Sequence, residues 1–211
     1  GSPIPDDGIV FDGGSGSDKL QIDNGNFTTI TTTYTNASDG KIDLDGGVVE
    51  FKNLEPVLIN AGTIDNAIFN LPLGPNTDVV VENDTSTAGN SEITGNTFED
   101  TTFTNPTESL TINLGQLGNR IIVGAMDGAF APTRGFTVIG GPSADSPNDE
   151  WIEIKNDAET DVDLRDWLVM DNINQYHFDD SRILSPGGKL RIYVGKGTDG
   201  GDTLYWGLGK S

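Results

Sequence analysis

The run Thr28-Thr29-Ile30-Thr31-Thr32-Thr33-Tyr34-Thr35 constrains the fold of this chain more than any other stretch. β-Branched side chains lose rotamer freedom in a helix and pack well on a pleated surface, so the run reads as a strand. Asn36-Ala37-Ser38-Asp39-Gly40 follows it, and Asp-Gly supplies the positive φ angles of a tight hairpin. Lys41 to Leu44 then reads as the returning strand. Val48-Val49-Glu50-Phe51, Ala67-Ile68-Phe69, Val79-Val80-Val81 and Ile121-Ile122-Val123 are further short apolar runs, each bounded by Asn, Asp, Gly or Pro. No window carries an apolar stripe at helical spacing over three turns, so the expected fold class is all-β.

Charge narrows the partners. The 211 residues hold 12 Lys and Arg against 33 Asp and Glu, a formal charge of -21. Such a surface repels phosphate backbones and anionic lipid, so neither nucleic acid nor a membrane is an expected partner. No apolar run approaches the roughly 20 residues that span a bilayer. Cysteine is absent, which removes disulfides, thiolate nucleophiles and zinc-thiolate sites. Gly1-Ser2 reads as a tag remnant and Pro3 as a start in mid-sequence, so the chain is expected to be a piece of a longer protein.

A repeat search adds organisation. Phe11-Asp12 is followed six residues on by Asp18 and then Leu20; Ile59-Asn60 by Asn66 and Ile68; Ile112-Asn113 by Asn119 and Ile121. These three cassettes are offset by 48 residues (Asp18 to Asn66) and 53 residues (Asn66 to Asn119). Each reads as a strand, an Asx-containing turn and a second strand, in a stack where every unit covers its neighbour's apolar face. A β-solenoid and a sandwich both satisfy this pattern. The expected division is a repeat-built domain over 3–131 and a second domain over 134–211, with Gly128 to Gly135 as linker and a boundary near Pro132.

The second part resembles a lamin-tail domain, an immunoglobulin-like β-sandwich. The resemblance runs through Glu150-Trp151-Ile152-Glu153-Ile154-Lys155-Asn156, Val162-Asp163-Leu164-Arg165-Asp166-Trp167, Tyr176-His177-Phe178, Leu184-Ser185-Pro186-Gly187-Gly188-Lys189-Leu190 and Leu204-Tyr205-Trp206-Gly207. Independently of it, alternation puts Ile152 and Ile154 on one face and Trp151 and Glu153 on the other. The family continues past Trp-Gly with closing strands, whereas this chain ends at Ser211. The resemblance therefore implies an open sandwich edge, and association with another protein or a second copy through it. The first part is similar in texture to repeats of very long secreted bacterial surface proteins, which implies a secreted or cell-surface location.

Residues 11–23, FDGGSGSDKLQID, place Gly13, Gly14, Gly16, Asp18 and Leu20 in the fixed positions of the calcium-binding nonapeptide G-G-x-G-x-D-x-U-x. One repeat supplies half a site, and the later cassettes replace Asp18 by neutral Asn66 and Asn119. A row of ions is therefore not expected. The alternatives are a bare turn and a single calcium ion held near Asp12 and Asp18. No cofactor is required. Asp43-Leu44-Asp45-Gly46, Asp161 to Asp166 and Asp179-Asp180 read as solvated turns. His177, the one histidine, cannot form a multi-histidine metal site, and no G-x-S-x-G elbow accompanies it. No carboxylate pair stands above the acidic background, so an enzyme is not expected. The expected role is structural or adhesive, within a larger protein. The alternative is a calcium- or glycan-binding accessory module of a secreted enzyme, with Trp151, Trp167 and Trp206 as the aromatic residues a sugar would need.

Overall fold

A computed structural model describes residues 4–115, 119–126, 129–140, 151–156, 159–170 and 175–207. Its strands begin with β1 (Ile9–Asp12), β2 (Leu20–Asp23), β3 (Asn26–Tyr34), β4 (Gly40–Leu44) and β5 (Gly47–Lys52). They continue with β6 (Val57–Asn60), β7 (Thr63–Asn70), β8 (Val79–Asn83), β9 (Asn90–Thr94) and β10 (Thr101–Thr104). Next come β11 (Ser109–Asn113), β12 (Asn119–Val123), β13 (Phe136–Ile139), β14 (Trp151–Asn156) and β15 (Val162–Asp163). The last are β16 (Leu168–Met170), β17 (Gln175–His177), β18 (Ile183–Leu184), β19 (Lys189–Tyr193) and β20 (Thr203–Tyr205). The all-β expectation is met. Among the described residues no helix is long and apolar enough to cross a membrane.

Two mixed nine-stranded sheets hold most of these strands. The first runs β1-β5-β4-β3-β7-β11-β13-β16-β17 and the second β2-β6-β10-β9-β8-β12-β14-β19-β20. In the first, β3, β7, β11, β13 and β16 are successive parallel neighbours, and the β4–β5 hairpin lies between β3 and β1. In the second, β2, β6 and β10 run parallel, as do β8, β12 and β14, with β9 joining the two groups antiparallel.

Alternation decides which face is buried. Val79 and Val81 of β8, Leu110 and Ile112 of β11, and Ile121 and Val123 of β12 point inward, as do Ile152 and Ile154 of β14. One hydrophobic cluster extends from Ile30 to Leu204 and draws on both sheets. Phe69 of the first sheet and Phe103 of the second, both fully buried, bring their ring centroids within 4.7 Å across the interface.

The register differs from the cassette offsets. Asn60 donates to Asp23, Thr63 to Asn26 and Asn70 to Thr33, each across 37 residues. Ser109 donates to Asn66 and Asn113 to Asn70 across 43. The cassettes are strand neighbours, but not at equivalent positions: β2 of the first pairs with β6 of the second, and β7 of the second with β11 of the third. Those at Asp12 and Asn113 lead from the first sheet to the second, and the one at Asn60 leads back. Each carries an Asx residue at the end of the strand that enters the corner, Asp12, Asn60 and Asn113.

Strand pairing also crosses the region around Pro132. β11 pairs with β13, and β12 with β14. Thr133 N donates to Thr107 O (3.0 Å), Arg134 N to Glu108 O (2.6 Å) and Leu110 N to Gly135 O (3.2 Å). The outermost strands are β1 and β2 at one end and β17 and β20 at the other.

Candidate functional site

Asp12 ends β1 and Asp18 lies two residues before β2. Asp12 Oδ1 accepts from Gly14 N (3.1 Å) and from Asn53 Nδ2 (2.9 Å), so this carboxylate caps its own turn and ties it to the next loop. Gly14 and Gly16 have φ of 81° and 129°, a region in which glycine meets no Cβ clash. A Cβ on Gly13 would come within 2.8 Å of Asp18 Cβ and collide with the Asn53 carbonyl. The glycines of the nonapeptide pattern thus each have a local steric reason. Among the described residues no group of three or more His, Cys, Asp or Glu side chains is arranged to hold a metal ion.

The equivalent positions later in the chain face neighbouring strands. Asn66 Nδ2 donates to Thr28 O (3.0 Å), and its Oδ1 accepts from Ser109 Oγ (2.7 Å). Asn119 Oδ1 accepts from Asn76 N (2.9 Å). Asn76, almost fully buried, donates through Nδ2 to Pro72 O (2.9 Å) and Leu114 O (2.6 Å). Gln116 to Gly118 of the third cassette lie outside the described residues.

The other acidic runs close turns. Asp43 Oδ1 accepts from Gly46 N (2.7 Å), and the Asp45 carboxylate takes Thr28 N (2.9 Å) and Thr29 N (2.8 Å). Asp163 gathers Arg165 N, Arg182 N and Ser181 Oγ, contacts that hold its carboxyl below the usual range. His177 Nδ1 lies 2.7 Å from Asp179 Oδ1, and the ring is exposed.

Glu153 behaves differently from its neighbours on the strand. It is 6% exposed although it sits on the face opposite Ile152 and Ile154. Arg120 of β12 and Arg191 of β19 are its direct cross-strand partners. Arg191 Nη2 approaches Oε2 to 2.8 Å, Arg120 Nε approaches Oε1 to 3.3 Å, and Lys189 Nζ to 3.5 Å. Burial pushes its pKa upward, but Arg191 and Lys189 outweigh that and leave it lowered. The Arg191 guanidinium also lies 4.2 Å over the Trp151 ring. Alternation alone predicts an exposed Glu153; three cations on adjacent strands are what make its burial tolerable.

Two open cavities bring aromatic and charged side chains together. One, of about 600 Å³, is lined by Phe130, Arg134, Phe136, Arg165, Trp167 and His177, among others. Phe136 and Trp167 pack at 4.7 Å, with Trp167 half-buried. An aromatic face beside guanidinium and carboxylate groups is the composition that holds a ring with polar edges. Trp206, by contrast, packs on Tyr176 and the core. The other cavity, of about 560 Å³, has Phe98 and Glu99 at its floor and Glu55 and Asp100 at its rim. Burial, reinforced by Asp100 and Glu55, pushes the Glu99 carboxyl up to about 7. The buried Tyr34 hydroxyl nearby donates to Thr101 Oγ1 at 2.8 Å, and burial raises its pKa. Neither feature of Glu99 is legible locally, since Phe98-Glu99-Asp100 reads as an ordinary polar turn.

Residues 137–210 match the Lamin Tail Domain family. No curated protein and no solved structure matches the chain. Lamin tail domains are non-catalytic modules, which agrees with the expectation that this chain is not an enzyme.

Proposed function

We propose that the chain is a structural and interaction segment of a large secreted or cell-surface bacterial protein. The continuous stack of strands carries this reading. Five parallel neighbours of the first sheet, β3, β7, β11, β13 and β16, run through both the repeat-like part and the part matched to the lamin-tail family. Units that cover one another's apolar faces build a stiff spacer, and a spacer with exposed end strands can join other β-rich surfaces. We read residues 3–131 as solenoid-like and 134–211 as a lamin-tail sandwich that prolongs the same two sheets. The surface charge of -21 suits a protein that stays soluble among extracellular polymers.

Association would occur through the end strands, β17 and β20 or β1 and β2. Analytical ultracentrifugation over a wide concentration range tests this. Self-association should be weakened by Tyr176→Lys on β17 or Thr203→Pro on β20. A strictly monomeric protein at every concentration would remove the self-association part of the proposal.

A second reading, a glycan-binding accessory role, is favoured by the cavity beside Trp167. Saccharide array binding that is lost in Trp167→Ala supports it, and binding unchanged in that variant refutes it. A single calcium ion at Asp12 and Asp18 is the corresponding second reading of the glycine-rich turn. A thermal melt that rises with calcium, and no longer does so in Asp18→Asn, supports that ion, since a ligand bound only by the folded state stabilises it. An unchanged melt leaves the turn bare.

A further inference from the structure

β2, β6 and β10 are adjacent parallel strands in which Leu20 faces Val57 and Val57 faces Thr101. Two residues ahead of these partners stand Asp18, Glu55 and Glu99. Backbone bonds maintain the alignment into the loops: Glu55 N donates to Asp18 O (2.9 Å), Leu20 N to Pro56 O (3.2 Å) and Val57 N to Asp100 O (3.1 Å). Three acids therefore stand at corresponding positions ahead of adjacent strands, with Asp100 beside the last. Like charges at neighbouring strand positions repel. Among the described residues no base pairs with any of the four.

Glu99 makes this row more than a solvated acidic edge. It is 4% exposed and lines the cavity, yet its carboxylate receives no hydrogen bond among the described residues. The one hydrogen bond to the residue reaches its main-chain carbonyl, from Thr101 Oγ1 at 3.2 Å. The Glu99 carboxylate oxygens are not among the fully buried unpaired atoms, so they face the solvent of the open cavity. The apolar part of the lining is supplied by Phe98, which is buried, and by the exposed Pro56 and Ala37.

We propose that this cavity binds a primary alkylammonium group, with Glu99 and Glu55 as its acceptors, Asp100 adding charge, and Phe98 and Pro56 enclosing the alkyl stem. Three features select an ammonium. No three acidic side chains here converge closely enough for a metal ion, whereas calcium takes six to eight oxygens at about 2.3–2.6 Å. An ammonium has three donors that can reach acceptors on different strands. Its alkyl stem gains from apolar and aromatic contact, which a hydrated metal ion does not. A free polyamine and the lysine side chain of a protein partner present the same chemistry.

The test is a titration of the full chain at pH 8 and low salt with cadaverine, with a capped Gly-Lys-Gly peptide, and with calcium chloride. Binding is followed by calorimetry and by amide shifts. Saturable shifts confined to the loops around Ala37, Glu55 and Gly95 to Asp100 are expected for an amine, with affinity falling at least ten-fold in Glu99→Gln. Glu55→Gln, at the exposed rim, should weaken binding in the same direction and guards against a folding defect in the first variant. Tighter binding of the peptide than of cadaverine assigns a protein lysine, and the reverse assigns a free amine. The proposal is overturned by no saturable shift with either amine, by equal affinity in Glu99→Gln, or by calcium displacing the amine and binding more tightly.

Discussion

Replacing Glu99 by glutamine is expected to stabilise the protein, and only above acid pH. The side chain keeps its volume and loses its charge. In the folded protein the Glu99 carboxyl is pushed from 4.5 to about 7, first by burial and then by Asp100 and Glu55. A raised carboxyl pKa means that the folded state holds its proton more tightly than the unfolded chain does. Its stabilising effect is full below about pH 4.5 and is lost as pH rises through about 7. The shift corresponds to at most about 3 kcal/mol, and the solvent-open cavity brings the expected figure to about 1–3 kcal/mol. Urea unfolding at pH 4.5 and pH 8 measures it. Wild type and Glu99→Gln should be nearly equal at pH 4.5, with the variant more stable by about 1–3 kcal/mol at pH 8. In a chain of this size that is a melting rise of about 2–4 °C per kcal/mol. Equal differences at the two pH values, or a variant less stable at pH 8, would refute the reasoning. Glu55, Asp100 and Tyr34 are the titratable groups around Glu99, and all three are retained in both proteins.

Phe103→Ala should cost about 3–5 kcal/mol in denaturant unfolding, because it empties the fully buried contact with Phe69 that joins the two sheets. Glu153→Gln should destabilise by about 1–3 kcal/mol at neutral pH, since Arg120 and Arg191 lose their shared carboxylate while keeping some access to water. The Glu153 pKa is lowered, so its contribution is present above about pH 4.5 and lost as pH falls through the folded value. The difference from wild type should therefore shrink in acid. Asn76→Ala should cost about 1–3 kcal/mol by leaving the Pro72 and Leu114 carbonyls without their donor, measured as a lowered unfolding midpoint with an unchanged slope.

Local alternation settled which side chains enter the core. Ile152 and Ile154, Val79 and Val81, and Ile121 and Val123 are buried as their period of two requires, since a strand has only two faces. The β-branched run 28–35, its Asp-Gly hairpin and the absence of helical spacing likewise determined the all-β class. Pairing was beyond the sequence's reach. Parallel partners lie 37 residues apart between β3 and β7, 43 between β7 and β11, and 26 between β11 and β13, because the loops between them vary in length. Repeats of turn chemistry at 48 and 53 residues were visible, but the register that stacks Asn113 on Asn70 was not.

The same limit applies to the candidate sites. Asp12 and Asp18 stood out because a contiguous motif surrounds them, and the tertiary structure gives Gly13 of that motif steric work against Asn53 and Asp18. Glu99 and Glu153 carried no local signal. One faces an acidic cavity and the other lies among three cations, and both conditions arise only when distant strands are brought side by side. Composition and periodicity are properties of neighbours along the chain, and they determined this protein's class, its charge and its inward faces. Which charges meet, and which are left unmet, was decided by contacts between segments far apart in sequence, whose energies no local window contains.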